Sequence, residues 1–521
     1  MVVLLALFAA LPAKAQITPF MQAVAEAAAK DPEIAAFYRA TGYKPIWTGK
    51  ASKHKTRRTA LLKALKNAGD HALPVSRYDL DLMAVNPRKI KSQRELGQVE
   101  VALSKLFLLY ARDVQTGLLT PKRVDSGIVR DVPLRNRTKL LEAFSKSSPQ
   151  KFLRALPPRS PEYARLLKAK VQLEKQLGKG GWGPRVPAKA LKPGQSGDAV
   201  VALRNRMIAM GYMKRSASST YDAALQKAVQ LFQYDNGLAT DGVAGPGTMT
   251  EINKQIEDRL PAIMVAIERE RWMNLPRGKR HVWVNLTDFT AAIMDNDQVT
   301  FKTRAVVGKN VSDRRSPEFS DVMEYMEINP FWNVPRSISV KEYLPRMIAS
   351  GGASAGHLQL VDGRGRVVSR GAVNWGAVTP NNFPFDLRQA PSKGNALGLV
   401  KFMFPNPYNI YLHDTPAKNL FGREVRAYSH GCVRLADPFD FAYTLLSKQE
   451  GQPEAYFQSV LKTGRETKVE LKQPVPVHIV YRTAFTTPKG HTQYRRDIYG
   501  RDAKVWRALS NAGVALRAVQ G

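Results

Sequence analysis

Cys432 is the only cysteine among 521 residues, and it stands in the run Tyr428-Ser429-His430-Gly431-Cys432-Val433-Arg434-Leu435. A thiol attacks only as its thiolate, and a neighbouring imidazole can take its proton. Two histidines are near enough in sequence to be that imidazole. His430 precedes the thiol by two positions, so on an extended strand the two side chains share a face but project in parallel. His413 lies in Tyr411-Leu412-His413-Asp414-Thr415-Pro416, at the end of an apolar run. From a neighbouring strand it can face the thiol across the sheet, and it is the preferred base. A single thiol excludes an intramolecular disulfide and any zinc site built from paired cysteines.

Gly431 lets the backbone turn sharply just before the nucleophile. Asp437-Pro438 reads as the N-cap and first residue of a helix running to about Lys448. Cys432 is therefore expected on a strand-to-helix connection. The backbone N–H groups of Gly431 and Cys432 are expected to be free to hold a developing oxyanion, each worth ~3 kcal/mol. Arg434 is expected either to brace this loop or to bind a substrate carboxylate.

These residues need elements to hold them. With 44% hydrophobic and 24% charged residues the chain has the balance of a globular protein, which excludes a disordered or fibrous one. At ~150 residues per domain the length predicts about three domains. Residues 1–15 read as a secretion signal without a basic start: Val2 to Leu11 is apolar, and Ala13-Lys14-Ala15 is a small-x-small cleavage pattern. The apolar run is roughly half the ~20 residues that span a bilayer. The expectation is export, to the periplasm or cell envelope.

Residues 16–190 read as a helical domain, with stripes at Phe20, Val24, Ala27 and Ala28, at Leu61, Leu62 and Leu65, and at Leu103, Leu106, Leu108 and Leu109. A Gly/Pro-rich linker follows from Gly178 to Pro187. Residues 191–255 form a small unit of three helices, the first two capped by Asp198 and Asp222 and ended by Gly211 and Gly237. After a linking helix at 256–273 the apolar period becomes two, as in Val282, Val284 and Leu286. Residues 256–485 are thus expected to be a β-rich domain. A Gly-rich insertion at 337–392 is too long for a plain loop and is read as a lid or subdomain. Residues 486–521 read as a basic tail. The fold class expected is multidomain α+β.

The unit at 191–255 resembles the peptidoglycan-binding three-helix module, on Gly197-Asp198-Ala199-Val200, Leu203 to Tyr212, Phe232-Gln233, Gly237-Leu238, Asp241-Gly242 and Gly245. Ser429 to Leu435 resembles the signature of the L,D-transpeptidases (the YkuD-like catalytic domain), with the family's upstream histidine matched by His413. Asn329 to Pro335, Asn395 to Phe402 and Leu412 to Pro416 resemble the large subgroup that adds a helical scaffold domain and a wall-binding module. The resemblance implies that Cys432 takes an acyl group from a peptidoglycan stem tetrapeptide with loss of D-Ala, and that an amine of another stem resolves the thioester into a 3→3 cross-link. It implies His413 as acid and base, with the carbonyl or side chain of Asp414 fixing its tautomer. Ser429, Gly431, His430 and Arg434 support the oxyanion, Tyr411, Trp332 and Asn395 line the substrate pocket, and the Gly-rich segment caps the cleft. No metal or cofactor is implied.

The same acyl-enzyme resolved by water gives an L,D-carboxypeptidase, and resolved by a lipoprotein lysine it gives protein anchoring. The sequence chooses neither the acceptor nor an oligomeric state. A cysteine peptidase would have no use for a wall-binding module, and a non-catalytic scaffold would have lost the thiol or the imidazole. The net charge of +35 attracts polyanions. For an exported chain that points to anionic wall polymer or a membrane surface rather than nucleic acid, against a plain solvated surface as the alternative.

Overall fold

The computed structural model describes residues 17–488 and 490–518, so the expected signal segment lies outside the described residues. The first half is helical, as the stripes predict. Its centre is a helix over Gln93–Thr116, whose apolar positions recur often enough to bury Val101, Leu103, Phe107, Ala111 and Val114. Around it pack helices Pro19–Ala28, Ser52–Lys66 and Arg137–Lys146. Ser92 caps its start by accepting the Glu95 N–H at 3.3 Å.

The second unit has its own small core, built on Val200, Leu203, Met207, Leu225, Val229 and Phe232. Asp222 caps the helix Ala223–Asp235 as expected, accepting the Leu225 N–H at 2.9 Å. The preceding helix differs from expectation: Gly197 holds its N-cap position, and Asp198 lies within the first turn.

The β-rich domain contributes β1 (Arg280–Asn285), β2 (Thr290–Asp295), β3 (Gln298–Gly308) and β4 (Phe319–Ile328). An inserted segment follows with four short strands, β5 (Trp332–Asn333), β6 (Gln359–Val361), β7 (Val367–Val368) and β8 (Asp386–Gln389). The chain then returns as β9 (Val400–Met403), β10 (Leu412–His413), β11 (Ala427–Ser429), β12 (Val433–Leu435) and β13 (Thr467–Val480). The large sheet runs β11-β3-β12-β10-β9-β4-β13-β1-β2, and β2 also pairs with β3, which closes the strands into a ring. Closure removes the exposed edges an open sheet would leave. The insertion forms its own sheet, β5-β8-β6-β7, over a separate core of Leu344, Met347, Leu358, Leu360, Trp375 and Leu387.

Two expectations about the ends of this domain are corrected. Residues 486–518 are not a plain basic tail. A hairpin of β14 (Ala484–Thr486) and β15 (Thr492–Tyr494) leads to a helix at Arg501–Asn511. Val505, Leu509 and Val514 are buried in the core of the first, helical domain. The spacing of Val505 and Leu509 puts both on one helical face, but the surrounding Lys and Arg hide that signal. The linking helix Ile256–Trp272 likewise contributes Ile263, Met264, Ile267 and Trp272 to the helical core rather than to the sheet.

That helix ends in four charged residues, Glu268-Arg269-Glu270-Arg271, and all four are buried. Each has a counter-ion: Arg271 with Glu268 at 2.9 Å, Arg269 with Glu318 and with Asp502 at 2.7 Å, Glu270 with Arg277 and Arg482 at 2.7 Å each. Glu318, Arg482 and Asp502 come from the β domain and the terminal helix, so this cluster ties the helical and β halves together.

Candidate active site

Cys432 sits on the turn between β11 and β12. Gly431 before it has φ +121°, and a Cβ there would lie 3.1 Å from Ile410 Cδ1, so the turn needs glycine. Ser429 braces the same turn from within: its Oγ donates to the Cys432 carbonyl at 2.5 Å and accepts the Gly431 N–H at 3.2 Å. Ser316 adds an outside brace, donating to the Gly431 carbonyl at 2.6 Å. The expected strand-to-helix connection is corrected: β12 intervenes between Cys432 and the helix Pro438–Leu446, so the thiol sits on a strand-to-strand turn, while Asp437 holds the helix N-cap position, its carboxylate accepting Thr303 Oγ1 at 2.7 Å.

β10 runs parallel to β12, and the register sets Leu412 beside Val433 and His413 beside Arg434. Leu412, Val433 and Leu435 point into the core. By the alternation of strands, His413 and Arg434 face the other way, together with Cys432. Thiol and imidazole line one cleft of about 970 Å³, shared with Trp332, Tyr411, Asn409, Glu342 and Arg388. The cleft lies between the large sheet and the insertion.

His413 Nδ1 donates to the Asp414 carbonyl at 2.5 Å, which leaves Nε2 as the acceptor. The Asp414 side chain does different work. Its carboxylate accepts the Leu399 N–H at 2.9 Å, the Thr415 N–H at 2.7 Å and Lys418 Nζ at 2.7 Å, and so pins the loop after β10. Burial, helped by the Arg434 charge, pushes the imidazole down to about 3, against the carbonyls of Asp414 and Leu397, which favour its protonated form. The Cys432 surface is half-buried and opens on the cleft, yet protein packs densely round the sulfur and pushes the thiol up to about 11. The backbone and hydroxyl of Tyr411, and the charge of Arg434, oppose that rise. Both groups are therefore neutral near pH 7, and the resting pair is thiol with imidazole rather than thiolate with imidazolium. The thiol donates to the Asn409 carbonyl at 3.4 Å.

The predicted site residues divide. Cys432, His413, Arg434, Ser429, His430, Tyr411 and Trp332 all line the cleft. Asn395 does not: it is fully buried, and its amide donates to the carbonyls of Pro330, Gln389 and Ala390 while accepting the Leu397 N–H at 2.8 Å. It holds the base of the insertion. His430 points to the insertion rather than to the oxyanion position, its Nε2 lying 2.7 Å from Glu342 Oε1. The Gly431 amide is already bonded to Ser429, which leaves the Cys432 amide as the candidate oxyanion donor. The Arg434 side chain braces nothing: among the described residues it makes no hydrogen bond or ion pair, and its Nε is shut from solvent without a partner.

Sequence reasoning missed Asn409, Ser316 and Glu342. Asn409 had one local signal, in that Asn tolerates the left-handed conformation it adopts here, with φ +53°. Ser316 and Glu342 reach the site only through long-range contacts.

Fold and cleft define a class: a multidomain α+β protein whose β-rich domain presents a thiol and an imidazole from adjacent strands. Comparison with known families then gives each part its kin. Residues 32–169 match the scaffold domain family, residues 196–252 the family described as "Putative peptidoglycan binding domain", and residues 279–498 the L,D-transpeptidase catalytic domain, YkuD. Along the chain a match to the scaffold domain family is thus followed by one to a peptidoglycan-binding family and one to the L,D-transpeptidase catalytic domain family. It is similar to a protein of Haemophilus influenzae described as "Putative L,D-transpeptidase", with 31% identity over 242 residues, 46% of this chain and 48% of that protein. The match therefore spans about half the length of that relative. The crystal structure of an L,D-transpeptidase from Xylanimonas cellulosilytica aligns over 57% of this chain and 98% of its own at 14% identity, with a TM-score of 0.17, too low to support an argument about fold.

Proposed function

We propose that the chain is an exported peptidoglycan L,D-transpeptidase of the periplasm or cell envelope that forms 3→3 cross-links through a thioester on Cys432. The observation that carries this reading is the chain's sole thiol in a large cleft, one strand from an imidazole whose Nδ1 is committed to a backbone carbonyl. That tautomer leaves Nε2 to accept the thiol proton as sulfur attacks, so charge need not separate in the resting site. Sulfur adds to the carbonyl between the third stem residue and the terminal D-Ala, and the Cys432 amide holds the oxyanion. The C–N bond breaks, D-Ala takes the proton from His413 and leaves as an amine, and the thioester remains. An acceptor amine then adds to the thioester, giving its proton back through His413 as the thiol is expelled. Tyr411 and Trp332 line the pocket. The carboxypeptidase and lipoprotein-anchoring readings use the same acyl-enzyme with a different acceptor.

Mass spectrometry of the purified protein with tetrapeptide-bearing muropeptides tests the proposal. Loss of D-Ala with dimer formation is the expected result. Loss without dimers would reassign the protein as a carboxypeptidase, and no change at all would leave a wall-binding scaffold.

A further inference from the structure

Arg434 is half-buried, and its side chain differs from those of the buried arginines, which are paired with carboxylates or with backbone carbonyls. Arg269, Arg271, Arg482 and Arg501 each have a carboxylate at ion-pair distance. Arg434 has none among the described residues, although β12 carries it into the wall of the cleft two positions from Cys432 and directly beside His413. Three of the cleft's acids are engaged elsewhere, Glu342 with Arg314 and His430, Asp313 with Lys341 and Asp362 with Arg366, and the fourth, Asp386, is exposed and makes no ion pair with Arg434. A half-buried guanidinium whose Nε is shut from solvent without a partner leaves its fork free for an anion, and the planar, bidentate match for it is a carboxylate.

We propose that Arg434 is the carboxylate anchor of the cleft, holding a carboxylate of the acyl donor while Cys432 attacks the neighbouring carbonyl. This rests on the transpeptidase reading only for the identity of the donor. Arg434 follows Cys432 by two positions and lines the same cleft, so the anchored carboxylate must lie close along the donor to the attacked carbon. Two carboxylates of a stem peptide meet that requirement: the terminal one of the leaving residue and the free one on the diamino acid that keeps the acyl group. The anchor makes Arg434 a specificity residue. It also explains why the cleft leaves a cation uncompensated beside an imidazole that must stay neutral.

The test uses the full chain and its single thiol. Second-order rates of Cys432 alkylation are measured with iodoacetate and with iodoacetamide, reagents alike except for the carboxylate. Loss of the cation in Arg434→Gln slows both by raising the thiol, so the ratio of the two rates isolates anchoring. The expected result is a fall in the iodoacetate-to-iodoacetamide ratio of about tenfold in Arg434→Gln, with Arg434→Lys, which keeps the charge but not the fork, in between. Arg434→Lys also serves as the variant of record if Arg434→Gln does not fold. An unchanged ratio in both variants overturns the anchor, whatever happens to the separate rates. Acylation by tetrapeptides with either carboxylate amidated then separates the two sources: the amidation that makes Arg434→Gln indistinguishable from the wild type marks the anchored group. If the alkylation ratio falls but no stem peptide acylates the thiol, the anchor stands and the transpeptidase reading fails.

Discussion

At the residue scale the cleft holds a neutral thiol beside a neutral imidazole, and this has a measurable signature. A thiol pushed up to about 11 reacts as thiolate in proportion to pH far beyond the range of an exposed cysteine. Alkylation of the wild-type protein by iodoacetamide is therefore expected to keep rising about tenfold per pH unit past pH 9, where a free thiol levels off near its ordinary value of about 8.5. A plateau below pH 9 would mean that the thiol is not held down as described. His413→Ala should suppress acylation by a tetrapeptide at pH 7 and recover part of it at high pH, where the thiolate forms unaided. His430→Ala should not show that recovery, because its imidazole is bonded to Glu342 across the cleft rather than to the sulfur. If His430→Ala is the variant rescued by high pH, the base has been misassigned.

At the element scale the decisive piece is the helix Ile256–Trp272. Pairing its buried charges does not by itself make a protein stable, since the desolvation cost of both ions offsets the attraction, but removing one partner leaves the other charge buried alone. Glu270→Ala strands Arg277 and Arg482 and is expected to cost about 3–5 kcal/mol, read as a lower midpoint in urea unfolding. The pH dependence has a definite sign. Burial raises the Glu270 pKa, but Arg277 and Arg482 outweigh it and hold the carboxyl below its ordinary value. The folded state therefore binds this proton less readily than the unfolded chain. The stabilisation is present above the usual carboxylate range and is lost as pH falls through it. The gap in unfolding midpoint between wild type and Glu270→Ala should accordingly shrink when the titration is repeated near pH 4. A gap that widens in acid contradicts the assignment.

At the scale of the whole molecule three units form one body. The three-helix unit at 191–255 is docked on the terminal hairpin: Asp235 takes His491 Nδ1 at 3.1 Å and the Gln493 amide, and the Tyr212 and His491 rings lie 4.2 Å apart. Removing that unit outright would therefore disturb the hairpin, and surface substitutions are the cleaner probe. Leu231 and Tyr234 stand one helical turn apart on the helix Ala223–Asp235, 42% and 57% exposed, and present an apolar and an aromatic side chain to solvent. Leu231→Asp with Tyr234→Ala is expected to weaken pelleting with purified sacculi in 1 M salt severalfold, while acylation by a small soluble tetrapeptide continues. Attraction due to the net +35 is screened under those conditions, where the Debye length is ~3 Å. Pelleting that is unchanged by the pair in 1 M salt would assign wall recognition to another surface.

Local sequence alone places the lone thiol after a glycine turn, sets a histidine at the end of an apolar run upstream of it, and caps the second helix of the small unit with Asp222. Each of these depends on residues close together in the chain: a glycine before the lone thiol permits the turn, and an Asp three residues ahead of an amide caps a helix. The tertiary structure alone decided what depends on partners far away in sequence. Asn395 reads as a pocket residue and is a buried brace, because its three carbonyl partners come from the insertion's base. His430 faces Glu342 because the insertion folds over the cleft. Residues 501–511 read as part of a basic tail and are a docked helix, since two apolar positions suffice once a core is waiting for them. Glu268 to Arg271 read as a solvated helix end, for local periodicity cannot see Glu318, Arg482 and Asp502 arriving to neutralise it. Arg434 is the reverse case: that its side chain has no partner among the described residues shows only once distant segments are placed around it.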